Sequence, residues 1–441
     1  MSTAGGTVLV LGLGLTGRAV AGALVRRGEC VCLVDDRPGE SVRHYAEELG
    51  QVLHTAPGAG EWDDLLAGCD RLVLSPGVPD GHPALAAAAT AGVSVLDESD
   101  LAAEWDARPR CAVTGTDGKT TVVTLVAAML ECSGIRALPA GNNETPLVTA
   151  VDDAEAEVFV VEASSFRLGH ARSVRLGPAA WLNFAPDHLD VHADLAAYEA
   201  AKARIWESLA DPADAIANLA DPVVSSHAPE GATGFGTSEA HCRVRDGRLV
   251  HGDTEIVAVD DLPRQLPHDL LNAQAATALA LRVGASPAGC AEALRGFGGL
   301  PHRMQLLAEV DGVRFVDDSK ATTPHATASA VSALPGAVLI AGGRNKGLDL
   351  SAMGATSPRA VVAIGEAAGE IEGVFDGRCP VSTAESMADA VERARRQAGD
   401  GGTVLLSPGC SSFDWYTSYA ERGDDFARIV DELFEGLEAA R

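Results

Sequence analysis

The chain has 441 residues, 46% of them hydrophobic and only 4% aromatic, with 34 basic against 62 acidic side chains and a formal charge of −28. That length holds two to three domains with cores of their own, and the apolar content excludes a disordered chain. The charge excludes a nucleic-acid backbone or an anionic membrane as partner, but not small anionic substrates, because a few placed Lys and Arg reverse a local field.

The first apolar run is 7–11, preceded by Met1 to Gly6 without a basic region or a long apolar stretch. It predicts a first strand and not a signal peptide. No run reaches the length of a membrane span. Nine Cys, with no CxxC pair and no metal-ligand spacing, read as reduced, buried thiols of a soluble cytoplasmic protein. Runs at 31–35, 71–75 and 93–96 predict the other strands of a first α/β unit.

Between the first strand and a helix stands Gly12-Leu13-Gly14-Leu15-Thr16-Gly17, with Asp35 and Asp36 closing the second strand. Glycines let the backbone turn tightly and approach a phosphate, and an acid at the second strand accepts a hydrogen bond from a ribose or base. By itself this is the fingerprint of a nicotinamide or flavin dinucleotide site, which makes an NAD-dependent dehydrogenase one reading. A tight turn without a ligand is the plain alternative. Ser75-Pro76-Gly77, at another strand end, adds donors for the same diphosphate.

Runs at 110–114, 157–161, 179–183 and 214–218 predict a second unit, with 221–268 as a strand-rich excursion of it. Its first strand leads into Gly115-Thr116-Asp117-Gly118-Lys119-Thr120-Thr121 and a helix to about Cys132. Backbone amides there would cradle phosphates, Lys119 would neutralise the β- and γ-phosphates, and Thr120 would sit on Mg²⁺. A structural glycine turn explains neither the Lys nor the two Thr. ATP binding is therefore expected. Glu162, ending the next strand, is placed to hold Mg²⁺, although an acid there also serves as a helix cap. Asn183-Phe184-Ala185-Pro186-Asp187-His188-Leu189-Asp190 suggests a metal ligand or phosphate contact, or simply a loop His capped by its Asp. Lys202 on a helix reads, taken alone, as a solvated surface lysine.

Runs at 313–317, 336–341, 359–365 and 402–407 predict a third α/β unit. Polar clusters at Leu300-Pro301-His302-Arg303, Asp317-Asp318-Ser319-Lys320-Ala321-Thr322, 342–347 and 407–414 gather at its strand ends. Each suits a carboxylate or phosphate; each also suits a bare turn. Domain boundaries are expected to give 1–97, 98–300 and 301–441.

Taken in order, the phosphate loop, Glu-x-Ser-Ser-Phe, Asn-x-x-x-Asp-His-x-Asp, Ala-Lys-x-Arg-Ile, Pro-His-Arg and Asp-Ser-Lys-Ala-Thr resemble the Mur ligases along essentially the whole chain. Within them the likeness is to the branch that joins glutamate to a muramoyl-alanine acceptor. The resemblance implies a Rossmann-like N-terminal domain for the uridine diphosphate, a central P-loop ATPase domain and a Rossmann-like C-terminal domain for the amino acid. It implies a cytoplasmic ATP-dependent ligase of peptidoglycan precursor synthesis, acting as a monomer on UDP-N-acetylmuramoyl-L-alanine, glutamate and ATP.

Position by position, the resemblance implies that Leu15, Thr16, Asp35, Asp36, Ser75, Pro76 and Gly77 hold the uridine and its diphosphate. Gly115 to Thr121, Asn272, Arg303 and Asp318 would hold ATP, with Lys119 on its phosphates. Asn142 and His188 would meet the muramoyl substrate. Two Mg²⁺ ions would be held by Thr120, Glu162, His188 and Lys202, the last as a carbamate. Lys320, Thr322, Lys346, Ser412, Phe413 and Tyr419 would hold glutamate, and the glycine loop would serve a uridine nucleotide and not NAD. Two departures stand out. Gly141-Asn142-Asn143-Glu144 replaces the family's Gly-Asn-Ile-Gly, and Phe413 and Tyr419 replace a Leu and a Phe at the glutamate. D-glutamate is the default expectation; the L-isomer with a separate epimerase, another Mur ligase, or a folylpolyglutamate synthase-type ligase are the alternatives.

Overall fold

The run Thr7–Leu11 is buried at four of its five residues, the mark of a strand covered on both faces. Such runs recur along the chain, and helices rich in Ala and Leu cover them. The computed structural model describes residues 6–142, 145–171, 175–188 and 191–439. Asn143, Glu144, Leu189 and Asp190, singled out above, lie outside the described residues.

Twenty strands fall into three sheets among the described residues. The first holds β1 (Thr7–Leu11), β2 (Cys30–Asp35), β3 (Leu53–Thr55), β4 (Arg71–Leu74) and β5 (Ser94–Leu96), all parallel, in the order β3-β2-β1-β4-β5. Strand order reverses between β1 and β4. A ligand crevice opens at such a switch point, outside the carboxyl ends of the strands.

The second sheet holds β6 (Arg110–Thr114), β7 (Ala137–Gly141), β8 (Val158–Glu162), β9 (Ala179–Trp181), β10 (Ala215–Asn218), β11 (Thr233–Phe235), β12 (Cys242–Arg245), β13 (Arg248–His251) and β14 (Thr254–Ala258). Its order is β14-β13-β12-β11-β10-β9-β6-β8-β7, parallel except for the antiparallel run β12 to β14. The expected strand-rich excursion is therefore β11 to β14. The third sheet holds β15 (Gln305–Val310), β16 (Val313–Asp317), β17 (Val338–Gly342), β18 (Ala360–Ile364), β19 (Val381–Thr383) and β20 (Thr403–Gly409) in the order β15-β16-β20-β17-β18-β19. Only β15 runs antiparallel there.

The chain divides into two compact units. The first comprises Met1–Phe184, Asp190–Gln265 and Asp269–Phe297, and so contains the first two sheets; the second comprises Gly298–Arg441 with Ala185–Leu189 and Leu266–His268. In the first unit one apolar cluster runs from Val8, Leu24 and Leu101 through Val148 and Phe159 to Trp181. Each such side chain, fully buried, contributes about 1.5–3 kcal/mol, and the cluster binds the two sheets into one body. Inside it Glu98 and Arg167 form an ion pair, with side-chain exposures of 0% and 4%. Burial pushes the Glu98 carboxyl up, while the Arg167 guanidinium pulls it down. The second unit packs one cluster around Phe315, Val338 and Phe426 and another around Leu339, Met353 and Phe375.

All nine Cys are free thiols, but Cys30 and Cys132 are exposed, against the expectation that all would be buried. No helix among the described residues is long and apolar enough to cross a membrane.

Candidate functional site

The turn after β1 is forced by packing. A Cβ on Gly17 would lie 1.8 Å from the Gly12 carbonyl oxygen and 2.4 Å from Ser75 Oγ, so only glycine lets this helix sit so close to its strand. Ser75 Oγ donates to that same Gly12 carbonyl at 2.5 Å. Asp35 braces the loop from the other side: Oδ2 accepts the Leu13 amide at 2.7 Å and Oδ1 the Arg37 amide at 2.9 Å. Asp36 pairs with His82 Nε2 at 2.9 Å, and His82 Nδ1 caps the helix Pro83–Ala91 by accepting the Ala84 amide.

These pieces enclose a cavity of about 650 Å³ at the switch point of the first sheet. Leu15, Thr16, Asp35, Asp36, Ser75, Pro76, Gly77 and Asn142 all line it. The residues that the resemblance assigns to the uridine and its diphosphate are thus brought together. Sequence reasoning missed three polar members of this wall: Arg37, His82 and Arg167. Arg167 donates to Thr16 Oγ1 at 3.2 Å and to the Gly141 carbonyl at 3.1 Å. It stands five residues after Glu162 on the second sheet's side, and no local pattern links it to the glycine loop. Arg37, directly after Asp36, was legible as a cation beside an anion site.

The phosphate loop follows β6, and the helix Lys119–Glu131 follows the loop. Gly118 opens that helix at φ 84°, and a Cβ there would meet Asn272 Oδ1 at 2.8 Å. Asn272 therefore lies against the loop. Asn183 holds the loop's other limb, its Oδ1 accepting the Asp117 amide at 2.9 Å and its Nδ2 donating to the Asp117 carbonyl at 3.1 Å. Lys119 Nζ donates to the carbonyls of Gly115 and Thr116, each at 2.8 Å.

Lys202 is not the solvated lysine that its helix alone suggests. It is 1% exposed, and its Nζ donates to the Gly115 carbonyl at 2.7 Å and lies 4.7 Å from the centre of the Tyr198 ring. Tyr198 in turn reaches the loop, Oη to Thr116 Oγ1 at 3.2 Å. Glu162 is the last residue of β8 and sits in register beside Val113 of β6, just before the loop begins. It is 4% exposed. Its Oε1 accepts from Asn142 Nδ2 at 3.3 Å, whereas the buried Oε2 has no hydrogen-bond partner. A carboxylate oxygen left without a donor in a buried place demands a cation or a water.

In the second unit Asp187 accepts from the His188 amide at 2.8 Å and pairs with both His188 Nε2, at 3.2 Å, and Lys346 Nζ, at 3.4 Å. The capped-loop geometry is thus present at His188. Asp318 is 7% exposed and accepts from the Met304 amide and the Ser407 hydroxyl; burial pushes its carboxyl up to about 7. Arg303 adds a positive charge beside it. Lys320 Nζ stands 3.7 Å over the Tyr419 ring. The turns after β17 and β20 are laced together by paired Arg344 and Ser411 backbone bonds, of 2.9 and 3.0 Å, which brings the strand end before Lys346 beside Ser412. Ser412 is buried and Phe413 is 62% exposed. Thr322, two residues after Lys320, is half-buried. Among the described residues no group of three or more His, Cys, Asp or Glu side chains is ready-made for a metal ion.

The chain matches the N-terminal domain of MurD-like Mur ligases over residues 6–97, the Mur ligase middle domain over 113–280 and the glutamate ligase domain of Mur ligases over 302–410. It is 42% identical to a UDP-N-acetylmuramoylalanine–D-glutamate ligase of Frankia casuarinae, across 98% of this chain and 95% of that one. Proteins of the same description from Desulfosudis oleivorans and Streptomyces coelicolor are 39% and 37% identical, each across 97% of this chain and 97% and 98% of their own length. Among solved structures, a UDP-N-acetylmuramate-alanine ligase of Thermotoga maritima superposes with a TM-score of 0.58 at 18% identity, across 97% of this chain and 99% of that one. A pseudomurein peptide ligase of Methanothermus fervidus gives 0.61 at 15% identity, across 97% and 100%. At these identities the two structures bear on the fold alone.

Proposed function

The chain belongs to the Mur ligase family, and from that premise we propose that it joins D-glutamate to UDP-N-acetylmuramoyl-L-alanine with the cleavage of ATP to ADP and phosphate. It does so as a monomer in the cytoplasm, in the making of a peptidoglycan precursor. Residues 1–97 hold the uridine nucleotide, 98–300 the ATP and 301–441 the amino acid. The observation that carries this reading is the placement, in one unit, of the Lys119 loop beside the half-partnered Glu162 carboxylate, with a diphosphate-sized cavity at the first sheet's switch point.

A carboxylate at pH 7 is a poor electrophile, so the L-alanyl carboxylate is first converted to an acyl phosphate. Its oxygen attacks the γ-phosphorus of ATP, the bond to the β-phosphate bridge breaks, and ADP leaves. The glutamate amine then attacks the acyl carbon, loses a proton, and phosphate departs as the amide forms. Lys119 and the loop amides neutralise and align the phosphates, which is where positioning and electrostatics lower such a barrier. Asn272 and Thr121 line a small hollow beside the loop, with Leu125 and Phe297, and Asn272 is a nucleotide contact by the resemblance. The resemblance also assigns Arg303 and Asp318 to the nucleotide.

The orphaned Glu162 Oε2 fits a divalent cation, and Thr120, Glu162, His188 and Lys202 would hold the two Mg²⁺ ions of the reaction. Mg²⁺ supplies charge neutralisation for the transferring phosphoryl group. Lys202 takes part as a carbamate, an anion in place of an ammonium, and its burial against Gly115 and Tyr198 keeps that group at the loop. Lys320, Thr322, Lys346, Ser412, Phe413 and Tyr419 seat the glutamate: two ammonium groups meet its two carboxylates, and aromatic rings flank its methylenes. Leu15, Thr16, Asp35, Asp36 and Ser75 to Gly77 seat the uridine diphosphate, with Arg37 and Arg167 as the cations of that wall. Asn142 and His188 meet the muramoyl arm.

The test is phosphate release by the purified enzyme given ATP, Mg²⁺, UDP-N-acetylmuramoyl-L-alanine and, separately, each glutamate isomer. Release that requires all components, with the D-isomer preferred, is the expected result. Turnover with the L-isomer alone overturns the stereochemical part, and no turnover with either overturns the whole.

A further inference from the structure

Ser165 opens the helix Ser165–His170, three residues after Glu162, and is 1% exposed. Its Oγ lies 2.9 Å from His192 Nε2, and His192 Nδ1 lies 3.1 Å from Asp80 Oδ2. A carboxylate only accepts, so Nδ1 carries the proton toward Asp80 and Nε2 is left to accept the Ser165 hydroxyl. The sequence serine–histidine–carboxylate has the connectivity of a hydrolase nucleophile. Here it has no access: the His192 side chain is also 1% exposed, and Ser165 is held inside the protein. The relay is therefore mechanical.

What it joins is specific. Asp80 belongs to the turn whose Ser75 to Pro79 line the first-sheet cavity. Its second oxygen faces His170 Nε2 at 3.5 Å, and that same nitrogen is 3.3 Å from the Val78 carbonyl. On its other side the His192 ring stacks on Phe166 at 5.5 Å and packs on Tyr198 at 5.3 Å. Tyr198 reaches Thr116 of the phosphate loop and carries Lys202 on its face. One imidazole thus bridges the wall of the diphosphate cavity, the helix that begins after Glu162, and the tyrosine that braces the phosphate loop.

We propose that His192, locked in one tautomer between Asp80 and Ser165, is a positioning residue that ties the uridine-nucleotide turn to the phosphate loop, so that the loop's fit to ATP depends on the turn. The inference rests on the ligase reading given above. Neither Asp80 nor His192 touches ATP in this reading, and the effect is transmitted through packed and hydrogen-bonded groups of one rigid core.

The experiment uses the full-length enzyme and follows phosphate release with ATP varied at saturating UDP-N-acetylmuramoyl-L-alanine and glutamate. Asp80→Ala, which removes the acceptor, raises the KM for ATP by about fivefold or more. Asp80→Asn, whose amide oxygen still accepts from Nδ1, returns it to within about twofold of the parent. A role confined to stability lowers the thermal midpoint of both variants without moving the KM for ATP. An unchanged KM in Asp80→Ala, or an equal rise in Asp80→Asn, overturns the inference. Should Asp80→Ala not fold, Ser165→Ala frees the other ring nitrogen and carries the same expectation. A parent enzyme without turnover overturns the ligase reading itself, whereas an active parent with insensitive variants overturns only the relay.

Discussion

Asn142 Nδ2 donates to Glu162 Oε1 across the ends of β7 and β8, at 3.3 Å, and leaves Glu162 Oε2 buried without a donor. The asparagine fixes the carboxylate's rotation, so that the second oxygen keeps one direction. Glu162→Gln replaces that oxygen or its partner by an NH₂ group, which repels a cation. Loss of about 10²-fold or more in kcat is expected, the scale seen when one preorganised electrostatic group is removed from a reacting phosphoryl or acyl group. Turnover measured against Mg²⁺ concentration checks it. An unaltered Mg²⁺ dependence removes Glu162 from the metal's shell.

Two lysines converge on the Gly115 carbonyl, Lys119 at 2.8 Å and Lys202 at 2.7 Å, yet they are expected to fail differently. Lys119→Ala removes the cation at the phosphates and abolishes turnover, beyond rescue by any small anion. Lys202→Ala removes an anion if the lysine is carbamylated, so added short carboxylates restore part of the rate. Phosphate release with and without millimolar acetate or formate separates the two. Equal behaviour of the variants would argue that Lys202 acts as an ammonium.

Lys320 stands on the face of Tyr419 at 3.7 Å. A ring face holds an ammonium by about 0.5–2 kcal/mol, more as water is excluded, and so orients it toward an incoming carboxylate. Tyr419→Leu is expected to raise the KM for glutamate about threefold to tenfold, with kcat less affected, and Tyr419→Phe to behave like the parent. A leucine variant with the parent's KM assigns Tyr419 to packing alone.

Burial raises the Asp318 carboxyl to about 7, above the ordinary value of about 3.9 that it has in the unfolded chain. The folded protein then binds this proton more tightly than the unfolded one. Its contribution to stability is complete below about pH 4 and is lost as pH rises through about 7. Asp318→Asn does not ionise in this range and is expected to give a flatter stability profile across that window. The difference in slope approaches about 1.4 kcal/mol per pH unit at most. Urea unfolding of both proteins at several pH values between 4.5 and 8 measures it, and parallel profiles exclude the shift.

The strands that escaped the sequence reading share a position. Leu53–Thr55, Ala137–Gly141, Gln305–Val310 and Val381–Thr383 are all edge strands of their sheets. A central strand is covered on both faces and paired on both sides, which demands an unbroken apolar run; Ala360–Ile364 is buried throughout. An edge strand pairs on one side only and tolerates Pro139 or a half-exposed pattern such as that of Gln305–Val310. Composition and periodicity therefore reported the middle of each sheet more fully than its rim, where of the first sheet's two edges only Ser94–Leu96 was legible.

The same distinction divides the candidate site. Three sets of parallel strands, the glycine and phosphate loops at their ends, and the ordered motifs of a ligase were legible in the chain's letters, because each depends on a few neighbouring residues with fixed local geometry. The burial of Lys202 against Gly115, the reach of Arg167 to Thr16, and the chain of Asp80, His192 and Ser165 emerge with the folded arrangement alone. Those pairs stand 27 to 151 residues apart. They are set by which strands lie side by side and how deeply a side chain is removed from water, and no short stretch of chain encodes either.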